Sequence, residues 1–190
     1  GLGSDGFAIV WMKDKMYGMN SSGHSPYEIS ADKVKEIPKR GWTPVTVPGA
    51  CKGWKALSER FGVLPFKQLL EPAIDYARNG FALSPEIARM WHKAINVIPH
   101  TEEFNGWYET FTFDGKTPEA GQFIRMPKLA DALEKIADTK TDALYYGELA
   151  DKIDAASRKF GGFLRKKDLE DHEVEWVDPI HVDYHGYQVW

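Results

Sequence analysis

The stretch from Val45 to Pro85 reads VTVPGACKGWKALSERFGVLPFKQLLEPAIDYARNGFALSP, and it decides the fold of this chain. A short β-like run ends at Pro48-Gly49, a dipeptide that marks a turn. Apolar residues then recur at helical spacing from Ala50 to Phe61 and again from Phe66 to Ala77. This pattern predicts two amphipathic helices on a shared core. A third helix is predicted to open at Ser84-Pro85, with the serine as its N-cap.

Glycine and proline mark the ends of these helices. Gly62 follows the last apolar position of the first helix, where a left-handed C-cap is least costly for glycine. Gly80 is predicted to end the second helix. Pro72 lies inside the second helix, so the sequence predicts a kink or a restart at that point.

Both ends of the chain read as β-strands. Phe7–Met12 and Met16–Met19 flank a polar turn and predict a hairpin. The first arm is apolar at nearly every position, which is typical of a strand covered on both faces. Glu175–Trp190 predicts two strand pieces joined at His185-Gly186. We expect these strands to lie in one sheet system beside a helical lobe between residues 50 and 160, an α+β arrangement.

The middle of the chain is mainly helical. Helices are predicted from Pro85 to about Asn96, after Pro127, and from Leu144 to Phe160, with a further helical turn at Asp168–His172. Residues 101–122, between the helix that begins at Pro85 and the one after Pro127, are polar, aromatic and turn-rich. Phe111-Thr112-Phe113 before Asp114-Gly115 could form a small hairpin.

Size and composition exclude several classes of protein. The 190 residues are 43% hydrophobic and 27% charged, which is ordinary for one soluble globular domain. The net charge of -4 gives no electrostatic reason to expect nucleic acid or an anionic membrane as a partner. No apolar run approaches the ~20 residues that span a bilayer. The single cysteine, Cys51, excludes an intrachain disulfide and a multi-cysteine metal site.

Several short motifs, in one order along the whole chain, closely resemble the γ-glutamyltransferase (γ-glutamyltranspeptidase, glutathione hydrolase) family. Each motif alone is weakly specific, and their shared order is what makes the resemblance specific. They are Gly3-x-Asp5-Gly6-Phe7, Val47-Pro48-Gly49-Ala50, Gly53-Trp54, Phe61-Gly62-x-Leu64-Pro65, Glu71-Pro72-Ala73, Ala77-Arg78-x-Gly80-Phe81, Asp142-Ala143-Leu144-Tyr145-Tyr146-Gly147-Glu148-Leu149-Ala150, Gly161-Gly162, Asp168-Leu169, Pro179-Ile180 and Tyr184-x-Gly186-Tyr187.

The resemblance implies an N-terminal-nucleophile (Ntn) hydrolase with an αββα four-layer sandwich. In this family the precursor cuts itself before a threonine, whose hydroxyl attacks the amide and whose freed amine serves as base. That threonine belongs to the small subunit, so we expect no catalytic residue, no metal and no cofactor in this chain. Residues 1–190 are then expected to be a single incomplete domain, an internal large-subunit segment of a longer precursor, with the small-subunit portion as its partner.

The loop Asn20–Pro26, with the sequence NSSGHSP, is where the chain departs from the family pattern. The resemblance implies an arginine there that grips the α-carboxylate of the glutamyl donor, through two parallel charge-assisted bonds. Counting back from Pro26, that position is Ser22; some relatives have arginine at the place of His24. Losing one partner of such a pair costs ~2–5 kcal/mol. Our candidate substrate-binding residues are Ser22, His24 and Asn20.

Four other features have a chemical and a structural interpretation. His181, Asp183 and His185 alternate on a predicted strand, as metal ligands can, but we favour a solvated strand face. Cys51 starts a helix whose dipole could lower its pKa, but we favour a small buried residue. We interpret the basic run Arg165-Lys166-Lys167 as solvent-exposed surface. The aromatic cluster either lines a cleft or forms satellite core under a loop; it comprises Trp107, Tyr108, Phe111 and Phe113.

Three functional hypotheses remain open at this point. The first is an enzyme that transfers or hydrolyses γ-glutamyl amides such as glutathione, with Ser22 or His24 a tolerated variation. The second is an acylase-type relative with a different acyl donor, such as the cephalosporin acylases, for which the missing arginine is the natural discriminator. The third is a non-catalytic structural member. The compartment stays open between periplasmic or secreted and cytoplasmic, because we expect the true N-terminus of the precursor to lie outside this sequence.

Overall fold

A computed structural model describes residues 1–190 and contains eight α-helices and seven short strands. The longest helix has 14 residues, and no helix is long and apolar enough to cross a membrane. The helices are α1 Ala50–Phe61, α2 Phe66–Asn79, α3 Pro85–Ala94, α4 Asn105–Phe111, α5 Pro127–Asp138, α6 Asp142–Tyr145, α7 Glu148–Lys159 and α8 Lys166–Asp171. The strands are β1 Gly6–Met12, β2 Lys15–Ser21, β3 Phe81–Ala82, β4 Phe123–Ile124, β5 Glu175–Val177, β6 Val182–Tyr184 and β7 Tyr187–Val189.

The main sheet has the strand order β1-β2-β5 and is antiparallel. The β1–β2 hairpin turns at Lys13 and Asp14, both left-handed, which matches the twist of the two strands. The prediction of one sheet system is right for β5, which pairs with residues 18–20 of β2. It is wrong for β6 and β7, which form their own hairpin. Pro179 follows β5 and has no N–H to continue the ladder.

The prediction that β1 is covered on both faces is wrong within these 190 residues. Phe7, Ile9 and Trp11 point away from the helices and are 69%, 59% and 59% exposed. Phe7 and Ile9, together with Ile180 and Trp190, border an open recess of about 520 Å³. We call the side of the sheet that bears Phe7, Ile9 and Trp11 the apolar face. The opposite side of the hairpin packs against α1.

The main core lies beneath α1. Its largest side chain is Tyr145, which is fully buried and donates a 2.7 Å hydrogen bond from its hydroxyl to the Pro48 carbonyl. Two smaller clusters lie between α2 and α5 and around the β3–β4 pair. The other members of the main core are Val47, Cys51, Phe66, Ile136, Leu144, Ala150, Leu164 and Leu169.

The predicted α1, α2, α3 and α5 are confirmed, with two corrections. Helix α2 runs without interruption through Pro72, so there is no restart. Gly62 is extended, with φ of -72°, instead of left-handed, because the chain leaves α1 directly into Pro65. Ser84 caps α3 as predicted, accepting a hydrogen bond from the Ile87 amide.

The segment 101–122 contains a helix that the sequence did not predict. Helix α4 includes Phe111, so that residue is not in a hairpin strand. The turn at Asp114-Gly115 does form, closed by a bridge between Phe113 and Lys116. The predicted helix from Leu144 to Phe160 is two helices, α6 and α7, separated at Tyr146-Gly147.

Candidate functional site

The three candidate substrate-binding residues come together in one groove. The cavity has a volume of about 390 Å³ and no hydrophobic residue in its lining. We call it the polar groove. It is lined by Asn20, Ser22, Gly23, His24, Asp171, His172, Glu173 and Glu175.

Asn20 joins the two sides of the polar groove. Its Oδ1 accepts a 2.9 Å hydrogen bond from the Ser22 amide, which fixes the backbone as it leaves β2. Its Nδ2 donates to Glu175 Oε2 at 3.3 Å, which ties the loop to β5. The Ser22 side chain itself is exposed. The position at which the family resemblance predicts arginine therefore faces solvent beside a carboxylate.

The loop is held close to the strand-like segment that precedes α1. The Gly23 amide donates to Asp5 Oδ1 at 2.9 Å, and the Val47 amide donates to the His24 carbonyl at 3.1 Å. A Cβ added at Gly23 would lie 1.5 Å from the Val47 carbonyl oxygen. This close approach requires glycine, and it sets the direction in which His24 leaves the loop.

Ser21 and His172 form a buried polar pair behind the groove. Ser21 is fully buried and His172 is 2% exposed. The Ser21 hydroxyl lies 2.7 Å from the Gly49 carbonyl and 3.2 Å from His172 Nε2. Sequence reasoning missed this histidine, because the two residues are 151 positions apart and only the fold brings them together.

The bonding of Ser21 determines the tautomer of His172. A carbonyl only accepts, so the serine hydroxyl donates to Gly49 and must itself accept from His172 Nε2–H. Burial, followed by the charge of Lys52, lowers the pKa of His172 and favours the neutral ring. In that ring Nδ1 carries a lone pair, and it makes no hydrogen bond within the protein.

His24 is held in a similar way. Its Nδ1 lies 2.8 Å from the Ser25 carbonyl and therefore carries the proton that it donates. Its ring stacks on Tyr27 with centroids 4.8 Å apart. Nε2 is buried without a hydrogen-bond partner and is an acceptor in the neutral ring.

The three carboxylates of the groove have different partners. Asp171 pairs with Lys167, whose hydrogen bond lowers the pKa of this carboxyl. Glu173 lies 3.4 Å from the Nζ of the largely buried Lys52. The Glu175 carboxylate has one hydrogen-bond partner, the side-chain amide of Asn20. No arginine lines the groove, and the carboxylates do not converge as a metal ion requires.

The four other features that the sequence singled out have structural roles. Cys51 is fully buried, and burial raises the pKa of its thiol to about 12, so the favoured interpretation as a small buried residue is confirmed. His185 is a left-handed turn residue and His181 precedes β6, so of these three residues only Asp183 lies in the strand. Arg165 is not a solvent-exposed surface residue, since its side chain is only 18% exposed. It forms an ion pair with Glu28 and donates hydrogen bonds to the Gly162 and Leu164 carbonyls. Phe111 contacts Trp91 and Trp107, as expected of satellite core.

Comparison with known proteins identifies the family. The family model described as gamma-glutamyltranspeptidase matches residues 1–190. The chain belongs to the gamma-glutamyltranspeptidase family. Among relatives in this family, it is 35% identical to the glutathione hydrolase-like YwrD proenzyme of Bacillus subtilis, over 100% of this chain and 37% of that protein. It is 30% identical to the glutathione hydrolase proenzyme of Pseudomonas aeruginosa, over 97% of this chain and 33% of that protein.

A solved structure shows the same fold. The cephalosporin acylase from Bacillus halodurans matches with a TM-score of 0.97 and 41% identity, over 100% of this chain and 37% of that one. The predicted fold class is confirmed: this is a mainly helical α+β segment of the Ntn-hydrolase fold. The chain thus spans about a third of the length of these three relatives.

Proposed function

We propose that the full-length protein catalyses acyl transfer from, or hydrolysis of, γ-glutamyl amides such as glutathione, and that residues 1–190 form one wall of its acyl-donor pocket. The residues would belong to one incomplete domain. It would be completed by a small-subunit portion of the same precursor, which carries the threonine nucleophile. Two relatives described as proenzymes, each longer than this chain, support this arrangement.

The polar groove is the observation that carries the proposal. It contains the loop at which the family resemblance implies donor recognition, and no hydrophobic residue lines it. A donor such as a γ-glutamyl group carries an ammonium and a carboxylate on its non-reacting end. Fixing that end orients the amide for attack without changing the reacting atoms, which is how remote binding assists a reaction. Asn20, Ser22 and His24 are the proposed contacts.

A second candidate function is an acylase with a non-glutamyl donor. Two observations favour it: neither Ser22 nor His24 is arginine, and the structural relative with 41% identity is a cephalosporin acylase. Both candidates share the nucleophile, the amide and the acyl-enzyme. They differ in the group that the polar groove must recognise.

The test uses the full-length protein. Mass spectrometry of the purified product should show two chains, cut before a threonine. The processed enzyme should release 4-nitroaniline from γ-glutamyl-4-nitroanilide, whereas residues 1–190 alone should release none, because they contain no nucleophile. Failure to self-cleave would support a non-catalytic member. Release from other acyl anilides but not from the γ-glutamyl compound would support the acylase.

A further inference from the structure

We propose that the Lys39-Arg40 pair is a proteolytic processing site, at which a trypsin-like protease cuts the chain after Arg40 and leaves two pieces that stay bound to each other. The pair lies in a loop, residues 27–44, which connects Pro26 to the strand-like segment before α1. A loop of this length without a helix or strand is uncommon in a compact domain and usually has a function. The site lies outside the polar groove and goes beyond the proposed function.

The part of the loop around the pair makes no bonds to the rest of the protein. Residues 35–41 form no hydrogen bond and no ion pair, through either backbone or side chains, and residues 35–40 are all exposed. Proteolytic nicking concentrates in exposed loops, because the protease must bind an accessible stretch of chain. Here no backbone hydrogen bond has to break before the stretch enters a protease.

The residues of this stretch match the specificity of one class of protease. Trypsin-like enzymes recognise lysine or arginine through an acidic pocket, and Lys39-Arg40 supplies two such cations in succession. Gly41 follows the pair and has no side chain to hinder the cut. Lys35 is less suitable, because the carboxylate of the following Glu36 is repelled by an acidic pocket. In the reaction, water adds across the Arg40–Gly41 peptide bond, which gives a carboxylate on Arg40 and an ammonium on Gly41.

Other basic residues in turns are held more firmly. Lys13 is exposed, but it lies in the turn of the β1–β2 hairpin, whose ladder extends to Met12 and Lys15. Lys116 lies in a turn closed by two backbone hydrogen bonds with Phe113. These turns have to open locally before a protease can bind them. Freedom from bonds, rather than exposure alone, therefore distinguishes the Lys39-Arg40 pair.

Contacts on both sides of the cut keep the two pieces together. On the N-terminal side, the Tyr27 amide donates a 2.8 Å hydrogen bond to the buried Asp168. On the C-terminal side, the Trp42 amide donates a 2.7 Å hydrogen bond to Glu103. Strands β2 and β5 belong to different pieces and pair in the main sheet. The new ammonium of Gly41 forms one residue from the amide that Glu103 binds, so this carboxylate stabilises the cut end.

Limited trypsin digestion of the full-length processed protein, under native conditions, tests the site. Mass spectrometry should place the first cut within residues 1–190 after Arg40, at a rate at least about tenfold higher than that of any other cut in this range. Gel filtration in native buffer should keep the two pieces in one peak, and denaturing electrophoresis should then separate them.

Two variants show whether the basic pair is responsible. The double variant Lys39→Gln, Arg40→Gln keeps the loop but removes both cations, and it should slow cleavage within residues 35–41 by at least about tenfold. Lys13→Gln removes an exposed lysine from the hairpin turn and should leave the rate of the first cut unchanged.

Each contrary result overturns a defined part of the proposal. A first cut elsewhere within residues 1–190, or no cut in this range, overturns the site. Cleavage within residues 35–41 of the double variant as fast as in wild type overturns the role of the basic pair. Pieces that separate in native buffer overturn the claim that they stay bound.

Discussion

Ser21 illustrates how much a single side chain contributes behind the groove. Its hydroxyl serves both the Gly49 carbonyl and His172 Nε2, and both partners are buried. Ser21→Ala leaves the buried His172 Nε2 without a partner, whereas the Gly49 carbonyl keeps its hydrogen bond from the Gly53 amide. We therefore expect the free energy of unfolding to fall by about 1–3 kcal/mol. Ser22→Ala, next to it but exposed, should change it by less than about 0.5 kcal/mol. Urea unfolding of both variants measures the difference, and equal effects would contradict the assigned bonds.

His172 should make stability depend on pH in the acid range. Its pKa is lowered in the folded state, first by burial and then by Lys52 and His24, against the opposing effects of Glu173 and Asp5. The unfolded chain therefore binds the proton more readily. The stabilisation is present above the unfolded value of 6.5 and is lost as pH falls below it toward the folded pKa. In His172→Gln the loss of stability between pH 7 and 5 should be smaller than in wild type, as measured by thermal melting. An unchanged pH dependence would show that the ring is not held neutral.

The sequence predicts part of the lining of the polar groove. Asn20, Ser22 and His24 can be predicted because the family resemblance points to the loop between β2 and Pro26. His172 and Glu175 cannot, since nothing in their local sequence distinguishes them from any helix end or strand start. Their place in the groove depends on β5 pairing with β2, which is a long-range contact.

Two glycines test the described ends and interiors of helices, one at the end of α2 and one in α4. Gly80 ends α2 with φ of +101°, and an added Cβ would lie 2.8 Å from the Ile124 carbonyl oxygen. Gly80→Ala should therefore lower the free energy of unfolding by about 2–4 kcal/mol through backbone strain and crowding. Gly106 in α4 has nothing within 4 Å of its added Cβ. Gly106→Ala should instead raise stability by about 0.5–1 kcal/mol.

Denaturant melts of the two variants provide the comparison. If Gly80→Ala is as stable as wild type, the left-handed end of α2 is not as described.

Element prediction succeeded where periodicity was strong and failed where it was weak. Helices α1, α2 and α5 have clear apolar stripes, and all three form. Helix α4 has only seven residues rich in aromatic side chains, so its pattern was indistinguishable from a loop. The break between α6 and α7 at Tyr146-Gly147 falls inside the segment for which one helix was predicted.

The whole molecule leaves its apolar face uncovered, which predicts self-association of residues 1–190. Phe7, Ile9 and Trp11 form an exposed apolar row on β1. Light scattering should detect oligomers at micromolar concentration, and Trp11→Lys should reduce them by placing a charge in the row. Val63→Lys, at a residue that is 97% exposed elsewhere, is the control and should have little effect. A monomer in wild type would contradict the prediction.

The relation between the polar groove and the acyl donor is the central claim, and Ser22→Arg in the full-length processed enzyme tests it most directly. The new guanidinium would stand where the family resemblance places its carboxylate-binding arginine. We predict a higher kcat/KM for γ-glutamyl-4-nitroanilide, largely through a lower KM, since the carboxylate it binds does not react. Ser30→Arg adds the same charge at an exposed position outside the groove and should leave kcat/KM unchanged. An unchanged or lower kcat/KM in Ser22→Arg would contradict the placement of the donor in this groove.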